Sequence, residues 1–488
     1  MIEEHLLEHD RRDRAIQRAA STTPRAHIVA LLPRGEVIRN FQYTGTFDRI
    51  AEEADLSLIA VVPNAELWEN LRARYGDVHR LNEIWERWPV RFAQEILDAA
   101  HGRWLWSKAA QERWFFRDVE ARGPAAKVKR LAKKALCYPF AWRGGLEALS
   151  KFHDLASYRL RTSDHYLDLY RNLQPNLVFN GSHVHSRNAI PAVQAARWLG
   201  IPTATFIFSW DNLTSQGRVM PPYDYYFVWN EAIRQQFLDI YRSVAPERVI
   251  VTGTPQFDTH FQSQFYWTRE EFCERVGADP VRPIVLYSTG MANHMPGEPR
   301  IVEGVADILR ELCGLERPQL LVRVYPKDRS GRFNELKSRR PDILFPDVPW
   351  EPNWLTPRFE DTYLLANTLR HAAVGINVAS TVSLELCMFD KPVINVGYNP
   401  PGVDIWPVDY RRYYAFDHYR PVVESGAVDV AESEDDMRQL LIMSLTEPSR
   451  ASGKRAALLK RMFGNTLDGG SGRRIAEQLL SIAERNAG

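Results

Sequence analysis

The pattern that decides the fold of this chain is VGINVASTVSLELCMFDKPVINV, at residues 374–396. Two short apolar runs, 374–378 and 393–396, flank a stretch at 381–389 that reads as a helix. Each run is apolar at nearly every position, which is typical of strands that helices cover on both faces of a parallel sheet. The segment therefore predicts a strand–helix–strand unit of an α/β protein.

The same alternation of apolar run, turn and helix recurs along the chain in two blocks. In the first block the predicted strands are 27–32, 56–62, 177–180, 203–208, 224–229 and 248–252, with helices at about 186–199 and 231–242. In the second block they are 284–288, 319–324, 342–345, 374–378 and 393–396, with helices near 300–314, 361–371 and 381–389. We therefore expect two Rossmann-like domains, at 1–260 and 261–470, followed by a C-terminal helix at 471–488.

Residues 80–150 interrupt this alternation. They are rich in tryptophan and arginine, as in RWLW at 103–106 and RWFF at 113–116, and then become basic. We expect a helical insertion in the N-terminal domain.

Composition excludes several classes of protein. The 488 residues contain 62 Lys and Arg against 61 Asp and Glu, so no global positive field recruits nucleic acid. The four cysteines never form a Cys-x-x-Cys pair, which disfavours a zinc site and a disulfide framework. The charged N-terminus has no apolar core of a signal peptide, and no stretch approaches the roughly 18 apolar residues of a spanning helix. We expect a cytoplasmic protein that is soluble or peripheral on the inner face of the membrane.

A candidate ligand site follows the strand at 374–378. Ser380 and Thr381 provide hydroxyl groups there, at the start of a helix whose unpaired backbone N–H groups suit phosphate. Glu385 comes four residues after Thr381, on the same helix face, where its carboxylate could accept two ribose hydroxyls. The alternative is that Ser380 is only an N-cap and Glu385 only a solvated residue.

Two further loops follow predicted strands of the second block. Arg323, Tyr325 and Lys327 surround the end of 319–324, and two cations at a strand end could neutralise a leaving diphosphate without a metal. Thr289 and Gly290 form a small-residue turn that a ligand could approach closely. The alternative for the cations is a surface turn with a basic rim.

These motifs resemble the GT-B glycosyltransferases, in the branch of the CDP-glycerol glycerophosphotransferases and bacterial surface-carbohydrate transferases. The resemblance lies in Arg323 to Lys327, in NVASTVSLELCMFDKPVINVGY at 377–398 and in LDGGSGRRIAEQLL at 467–480. It implies two Rossmann-like domains that face each other across a cleft, with a nucleotide-activated sugar bound by the second domain. Tyr325 stands where the family has histidine, so Lys327 or Arg323 would take over its contact with phosphate. The resemblance implies neither a cofactor nor a metal.

The corresponding loop of the first block follows the strand at 203–208. A GT-B acceptor site is formed by such loops, and Asp211 lies where an inverting transferase keeps its general base. Trp210 would offer a stacking face for a sugar, and Asn212 would contact the acceptor. The alternative is that Asp211 and Asn212 form an Asx-turn or a helix cap.

The loop before it contains the other polar cluster. His183 is a second candidate base because neutral imidazole titrates near working pH. His185 would bind the acceptor, and the sequence offers this pair no third ligand for a metal. Gly35, in the turn after the first strand, resembles the GT-B loop that approaches the donor from the opposite domain.

The function that we expect is a metal-independent transfer of a sugar to a cell-surface polysaccharide or a glycolipid, with inversion if Asp211 is the base. Three alternatives stay open: a polyol-phosphate transferase of the CDP-glycerol type, a non-hydrolysing UDP-sugar 2-epimerase, and a nucleotide-binding scaffold without activity. Fold analogy does not separate them, because nucleotide, sugar and acceptor are chosen by a few loop contacts.

Residues 121–146 contain no Asp or Glu but seven cations: Arg122, Lys127, Lys129, Arg130, Lys133, Lys134 and Arg143. Val128, Leu131, Ala132, Ala135 and Leu136 follow helical spacing and form one apolar stripe. Tyr138, Phe140 and Trp142 come directly after it, and aromatic rings prefer the headgroup layer of a bilayer. We expect reversible binding to an anionic membrane. The alternative is a solvated basic helix that packs on the first domain through its leucines.

Overall fold

The computed structural model describes the chain at residues 25–62, 64–184, 187–312 and 317–487. The chain divides into two compact units. Unit 1 comprises 1–104, 135–256 and 470–488, and unit 2 comprises 105–134 and 257–469.

Unit 1 is built on a seven-stranded sheet in which every neighbouring pair is parallel. Its strands are β1 (His27–Leu32), β2 (Asp55–Ala60), β3 (Val78–Arg80), β4 (Leu177–Asn180), β5 (Thr203–Phe206), β6 (Tyr225–Val228) and β7 (Val249–Val251). The order is β3-β2-β1-β4-β5-β6-β7, so the winding direction reverses between β1 and β4. In open α/β sheets, ligands bind beyond the carboxyl ends of the strands at this kind of reversal.

Unit 2 contains a five-stranded parallel sheet and a short antiparallel hairpin. The strands are β8 (Ile284–Ser288), β9 (Gln319–Arg323), β10 (Trp350–Glu351), β11 (Thr356–Pro357), β12 (Val374–Asn377), β13 (Val393–Val396) and β14 (Asp429–Ala431). The sheet order is β14-β13-β12-β8-β9, and β10 pairs with β11 in the hairpin. Strands β8, β12 and β13 are almost completely buried, as apolar runs between two helical layers should be.

The α-helices of the described residues are Gly35–Val37, Thr46–Glu53, Ala65–Tyr75, Trp88–Leu105, Lys108–Glu120, Pro124–Cys137, Arg143–Arg159, Asp164–Leu173, Ile190–Trp198, Asn212–Ser215, Glu231–Ile240, Arg269–Val276, Glu298–Glu311, Asn334–Arg339, Phe359–His371, Val382–Met388, Arg420–Glu424, Glu434–Thr446, Ser452–Phe463 and Ser471–Glu484. Within the described ranges, no helix is both long enough and apolar enough to cross a bilayer.

The predicted α/β fold with two Rossmann-like domains is confirmed. Ten of the eleven predicted strands are present, with ends within two residues of the predicted ones. The exception is 342–345, where only Leu344 makes an isolated parallel bridge, to Leu321. Pro341 and Pro346 border this segment, and proline donates no hydrogen bond to a sheet.

Two segments belong to a compact unit whose other residues are distant from them in the sequence. Residues 105–134 belong to unit 2, because the Lys108 amide donates to the Asp417 carboxylate at 2.9 Å and the Arg412 guanidinium lies 4.2 Å from the centre of the Phe116 ring. The C-terminal helix Ser471–Glu484 belongs to unit 1, where it packs on β1, β4 and the helix Thr46–Glu53. The helical insertion that we expected within the first domain is thus divided between the units.

A glycine lets the helix Val382–Met388 lie directly on β12. A Cβ atom at Gly375 would come 2.1 Å from Cδ1 of Leu386 and 3.0 Å from its Cγ. Leu386 is completely buried, so it has little room to move aside. The position of this helix therefore depends on the absence of a side chain at residue 375. The positions of Thr381 and Glu385 depend on it as well.

We predict that Gly375→Ala destabilises unit 2 by about 1–3 kcal/mol, the usual cost of overpacking a tight core. The measurement is urea unfolding of the full chain, followed by circular dichroism. Gly453→Ala is the matched control, because Gly453 is an exposed position of the helix Ser452–Phe463 and a Cβ there would meet nothing within 4 Å. Equal unfolding midpoints for the two variants would contradict the packing argument.

Candidate functional site

The structure brings the candidate donor-binding loops of unit 2 to one edge of its sheet. Strand β8 lies between β12 and β9, with Tyr287 opposite Ile376 and Ser288 opposite Arg323. Because all three strands are parallel, the segments that follow them leave from the same edge. These segments carry the predicted residues Thr289, Gly290, Tyr325, Lys327, Ser380 and Thr381.

Thr289 joins two of these loops. Its buried hydroxyl accepts the backbone N–H of Tyr325 at 2.9 Å, and its own N–H donates to the carbonyl of Arg323 at 3.1 Å. The turn after β8 and the turn after β9 are therefore held in a fixed relation to each other.

Arg323 is engaged in a buried ion pair. Its Nη2 donates to Oδ1 of Asp361 at 2.7 Å, and Oδ2 of the same carboxylate accepts the indole N–H of Trp350 at 2.6 Å. The charge of Arg323 is thus already balanced inside the protein. Lys327 is less buried, with its ammonium 5.8 Å from the centre of the Tyr325 ring, and it is the better candidate for a phosphate contact.

A buried glutamate, which the sequence did not reveal, holds the Thr289–Gly290 turn in place. Glu298 is fully buried, and both of its carboxylate oxygens accept the Gly290 N–H, at 3.2 and 3.1 Å. The Arg332 guanidinium donates to Oε2 at 2.8 Å, and the Tyr287 hydroxyl lies 3.3 Å from Oε1. Gly290 is required there because a Cβ would come 2.5 Å from the Met295 side chain.

Burial raises the pKa of Glu298 to about 7, even though Arg332 and the hydrogen bonds to the carboxylate act in the opposite direction. A carboxyl group that prefers the neutral form in the folded state contributes most to stability at low pH. Its contribution is complete below the ordinary pKa of 4.5 and is lost as the pH rises through about 7.

The turn after β12 places Ser380 and Thr381 at the start of the helix Val382–Met388. The Ser380 N–H donates to the side-chain oxygen of Asn377 at 3.0 Å, and the Ser380 hydroxyl accepts the Val382 N–H at 3.3 Å. Ala379 has a φ of 41°, in the left-handed region that non-glycine residues rarely adopt. Ser380 therefore lies one residue before the N-cap residue, Thr381, and its hydroxyl accepts the first N–H of the helix, so the alternative of an N-cap at Ser380 is off by one residue.

A buried polar cluster supports this turn from below. Ser383 donates to Asn377 at 3.1 Å, and the Tyr419 hydroxyl lies 2.7 Å from Ser383 and 2.8 Å from the side-chain oxygen of Asn395. All four side chains are buried. The ends of β12 and β13 are thus fixed by hydrogen bonds that depend on one another.

Glu385 is not a solvated residue. It is mostly buried, and its Oε1 lies 3.0 Å from Nε2 of the buried His260. The pairing requires the proton on Nε2 when the carboxylate is ionised. His260, another residue that sequence reasoning missed, therefore orients Glu385 and leaves Oε2 outside this hydrogen bond.

In unit 1, the sequence-predicted residues also follow neighbouring strands. Strands β1, β4 and β5 are adjacent, and the segments after them contain Gly35, His183 and Asp211. Gly35 begins the short helix Gly35–Val37, which passes so close to the turn after β4 that a Cβ at Gly181 would lie 2.4 Å from the Val37 side chain.

Asp211 and its neighbours form a compact turn. Asp211 accepts the Ser215 hydroxyl at 2.5 Å, and its backbone carbonyl accepts the N–H groups of Thr214 and Ser215. The Asn212 side chain is buried and accepts the Ser209 N–H at 2.8 Å, so it shapes the turn. Trp210 is only 7% exposed, which leaves little of its ring for stacking on a sugar.

His183 lies beside the end of β5, with Nδ1 3.1 Å from the Phe206 carbonyl. His185 lies outside the described residues. Over the part of the chain that is described, no group of three or more His, Cys, Asp or Glu side chains is arranged to hold a metal ion.

Comparison with known proteins identifies the fold. Neither a family model nor a curated protein matches the chain. UDP-GlcNAc 2-epimerase from Neisseria meningitidis, solved with UDP-GlcNAc, is similar in structure, with a TM-score of 0.52 and 12% identity over 93% of this chain and 100% of that one. S. aureus MnaA, solved with UDP, has a TM-score of 0.50 and 12% identity over 93% and 96% of the two chains. A glycosyltransferase from Rickettsia africae has a TM-score of 0.48 and 11% identity over 94% and 99%. The likenesses to the Neisseria meningitidis and S. aureus structures show a GT-B-like fold.

We predict that Glu298→Gln removes a pH dependence of stability. In the native chain, the contribution linked to Glu298 declines by about 3 kcal/mol between pH 4.5 and pH 8, because the neutral form is favoured on folding. The variant keeps a neutral side chain at every pH, so its unfolding midpoint should change less over this range. Glu335→Gln, at an exposed position of the helix Asn334–Arg339 in the same unit, is the control and should retain the native profile. A Glu298→Gln profile parallel to the native one would contradict the prediction.

Proposed function

We propose that this chain is a metal-independent glycosyltransferase that moves a sugar from a nucleotide-activated donor to a cell-surface polysaccharide or a glycolipid. The observation that carries the proposal is the edge of the unit 2 sheet, where three loops held by buried polar groups follow neighbouring parallel strands and one of them leads into the helix Val382–Met388. Such an edge favours a phosphorylated ligand, because loops there carry the hydroxyls of Ser380 and Thr381 and the ammonium of Lys327.

The donor would be held by groups on all three loops. The hydroxyls of Ser380 and Thr381 and the ammonium of Lys327 are suited to a diphosphate. The free oxygen of Glu385 is suited to the ribose hydroxyls, since His260 fixes the other oxygen at 3.0 Å. Because Thr289 and Gly290 are small, the backbone of their turn would come close to the ligand without occupying the volume that the ligand needs.

Transfer also needs a base for the acceptor hydroxyl, and Asp211 is our candidate. Its carboxylate is oriented by Ser215 and remains only partly buried. In the proposed step, Asp211 takes the hydroxyl proton as the acceptor oxygen bonds to the anomeric carbon. The bond from that carbon to the nucleotide diphosphate breaks, and the configuration is inverted.

A second candidate function is that of a non-hydrolysing UDP-sugar 2-epimerase. It is favoured by the solved epimerase structures that resemble this chain over 93% of its length. An epimerase needs the same donor site but no acceptor. A polyol-phosphate transferase would use a CDP-polyol in place of a nucleotide sugar.

The test begins with a thermal-shift screen of the full chain against UDP, GDP, CDP, CMP and dTDP, since a ligand of the folded state raises its stability by mass action. The sugar nucleotide of the best base is then incubated with the protein, with and without a lipid-linked saccharide. Nucleotide release that depends on the saccharide supports transfer. Isomerisation of the sugar at C2 without any acceptor would overturn transfer in favour of epimerisation, and no thermal shift with any nucleotide would overturn both.

We predict that Glu385→Ala weakens binding of the best nucleoside diphosphate by about 1–3 kcal/mol, because a charged hydrogen bond to the ribose is lost. Isothermal titration calorimetry provides the measurement. The control Glu360→Ala removes an exposed carboxylate from another helix of unit 2 and should leave affinity unchanged. The ribose role would be wrong if Glu385→Ala binds as tightly as this control.

We predict that Asp211→Asn lowers turnover on the order of 100-fold while nucleotide affinity changes little, because the amide keeps the size of the side chain but cannot accept the proton. Steady-state kinetics and calorimetry on one preparation separate the two effects. Asp239→Asn, an exposed position in unit 1, should turn over normally. Near-native turnover of Asp211→Asn would shift the assignment to His183.

A further inference from the structure

The helix Pro124–Cys137 carries its apolar face outward. Val128 is 67% exposed, Leu131 is 68% exposed and Leu136 is 50% exposed. The other residues on this side of the helix are uncharged and also exposed: Pro124, Ala125, Ala132 and Ala135. An amphipathic helix of a globular protein normally turns such a stripe toward the core. The alternative in which the helix packs on the first domain through its leucines is therefore wrong.

The helix is attached to unit 2 by its cationic side. Arg130 and Lys134 both donate to the Asp118 carboxylate at 2.7 Å, and their charged groups lie 4.6 and 5.5 Å from the centre of the Trp114 ring. These contacts join it to the helix Lys108–Glu120. The ion pairs, the cation–π contacts and the completely buried Cys137 lie on the side of the helix that faces the protein, and the apolar stripe lies on the other side.

Charges border the exposed stripe. Lys127 and Lys129 lie on opposite sides of it, about 100° of helical rotation from Val128 in each direction. Both are exposed, as is Arg122 just before the helix. Asp118 pairs with this helix: burial acts to raise the pKa of its carboxyl group, but hydrogen bonds from Lys134 and Arg130 lower it, so Asp118 is ionised and balanced by them.

Aromatic side chains follow the helix in the chain. Tyr138 and Trp142 are both at least half exposed, and neither Asp nor Glu occurs between 121 and 146. An apolar stripe between lysines, with tyrosine and tryptophan after it, has the chemistry of an interfacial helix that lies in the headgroup layer.

We propose that the helix Pro124–Cys137 is a docking surface for an anionic lipid membrane. Val128, Leu131 and Leu136 would enter the boundary between headgroups and acyl chains, while Lys127 and Lys129 would contact lipid phosphates. The stripe is thin because alanine supplies much of it, so binding is reversible and depends on salt. This surface is separate from the residues proposed to bind the donor, and lipid binding is measured without nucleotide. The result is therefore independent of the proposed reaction.

The experiment is flotation of the full chain with vesicles of phosphatidylcholine alone or with about 30% phosphatidylglycerol. Each cation of the protein at an anionic surface raises the partition coefficient roughly fivefold. We expect the native protein to float with anionic vesicles, to be released at about 1 M salt and to remain unbound with neutral vesicles. Recovery in the unbound fraction with anionic vesicles at low salt would overturn the proposal.

Two double variants test the helix itself. Val128→Gln with Leu131→Gln should lower partitioning roughly tenfold or more, because apolar burial is lost. Lys127→Gln with Lys129→Gln should lower it by about 25-fold. Glutamine favours helix, and all four positions are exposed, so the fold should survive; circular dichroism checks this.

Matched controls change the same residue types elsewhere on the surface: Val281→Gln with Ile442→Gln, and Lys337→Gln with Lys454→Gln. They should float as the native chain does. Native-like flotation of the Val128 and Leu131 variant would overturn the proposal. The proposal would also be overturned if sedimentation showed that the native chain is a dimer, that the Val128 and Leu131 variant is a monomer, and that neither of them binds vesicles. The stripe would then be a protein interface.

Discussion

Parallel pairing of β12, β8 and β9 is the constraint on which the candidate site depends. The carboxyl ends of parallel strands meet at one edge, so segments more than thirty residues apart in the chain meet there. Unit 1 obeys the same rule with β1, β4 and β5. Each unit thus collects its polar turns at one edge while its apolar residues form the two helical interfaces of the sheet.

Buried polar groups then determine the shapes of these turns. The carboxylate of Glu298 holds the Gly290 amide, and Asn377 holds the Ser380 amide. Burying such groups is costly unless they are hydrogen-bonded, so each of them defines a narrow range of loop geometry. Arg323 is likewise buried and forms an ion pair with Asp361, so its charge is balanced within the protein.

The orientation of the helix Pro124–Cys137 has a different physical basis. The protein-facing side of this helix carries Arg130 and Lys134, which pair with Asp118 and Trp114, and the buried Cys137, while the hydrophobic stripe lies on the exposed side. A stripe left outside contributes nothing to the core, which makes an external apolar partner the simplest physical reason for its composition.

The sequence by itself determined the class of fold, the apolar strands and the polar turns that follow them. Apolar runs, turn residues and helical spacing are local properties, so β8, β12 and β13 could be located from them, as could the positions of Ser380 and Thr381 after β12. Short strands with polar residues, such as β3 and β14, have no such signal. Only the tertiary structure decided that His260 meets Glu385, that Asp361 neutralises Arg323, that Trp210 is buried and that Leu131 is exposed. Those outcomes depend on contacts between residues distant in sequence and on which face of a helix finds a partner, and neither is encoded in local periodicity.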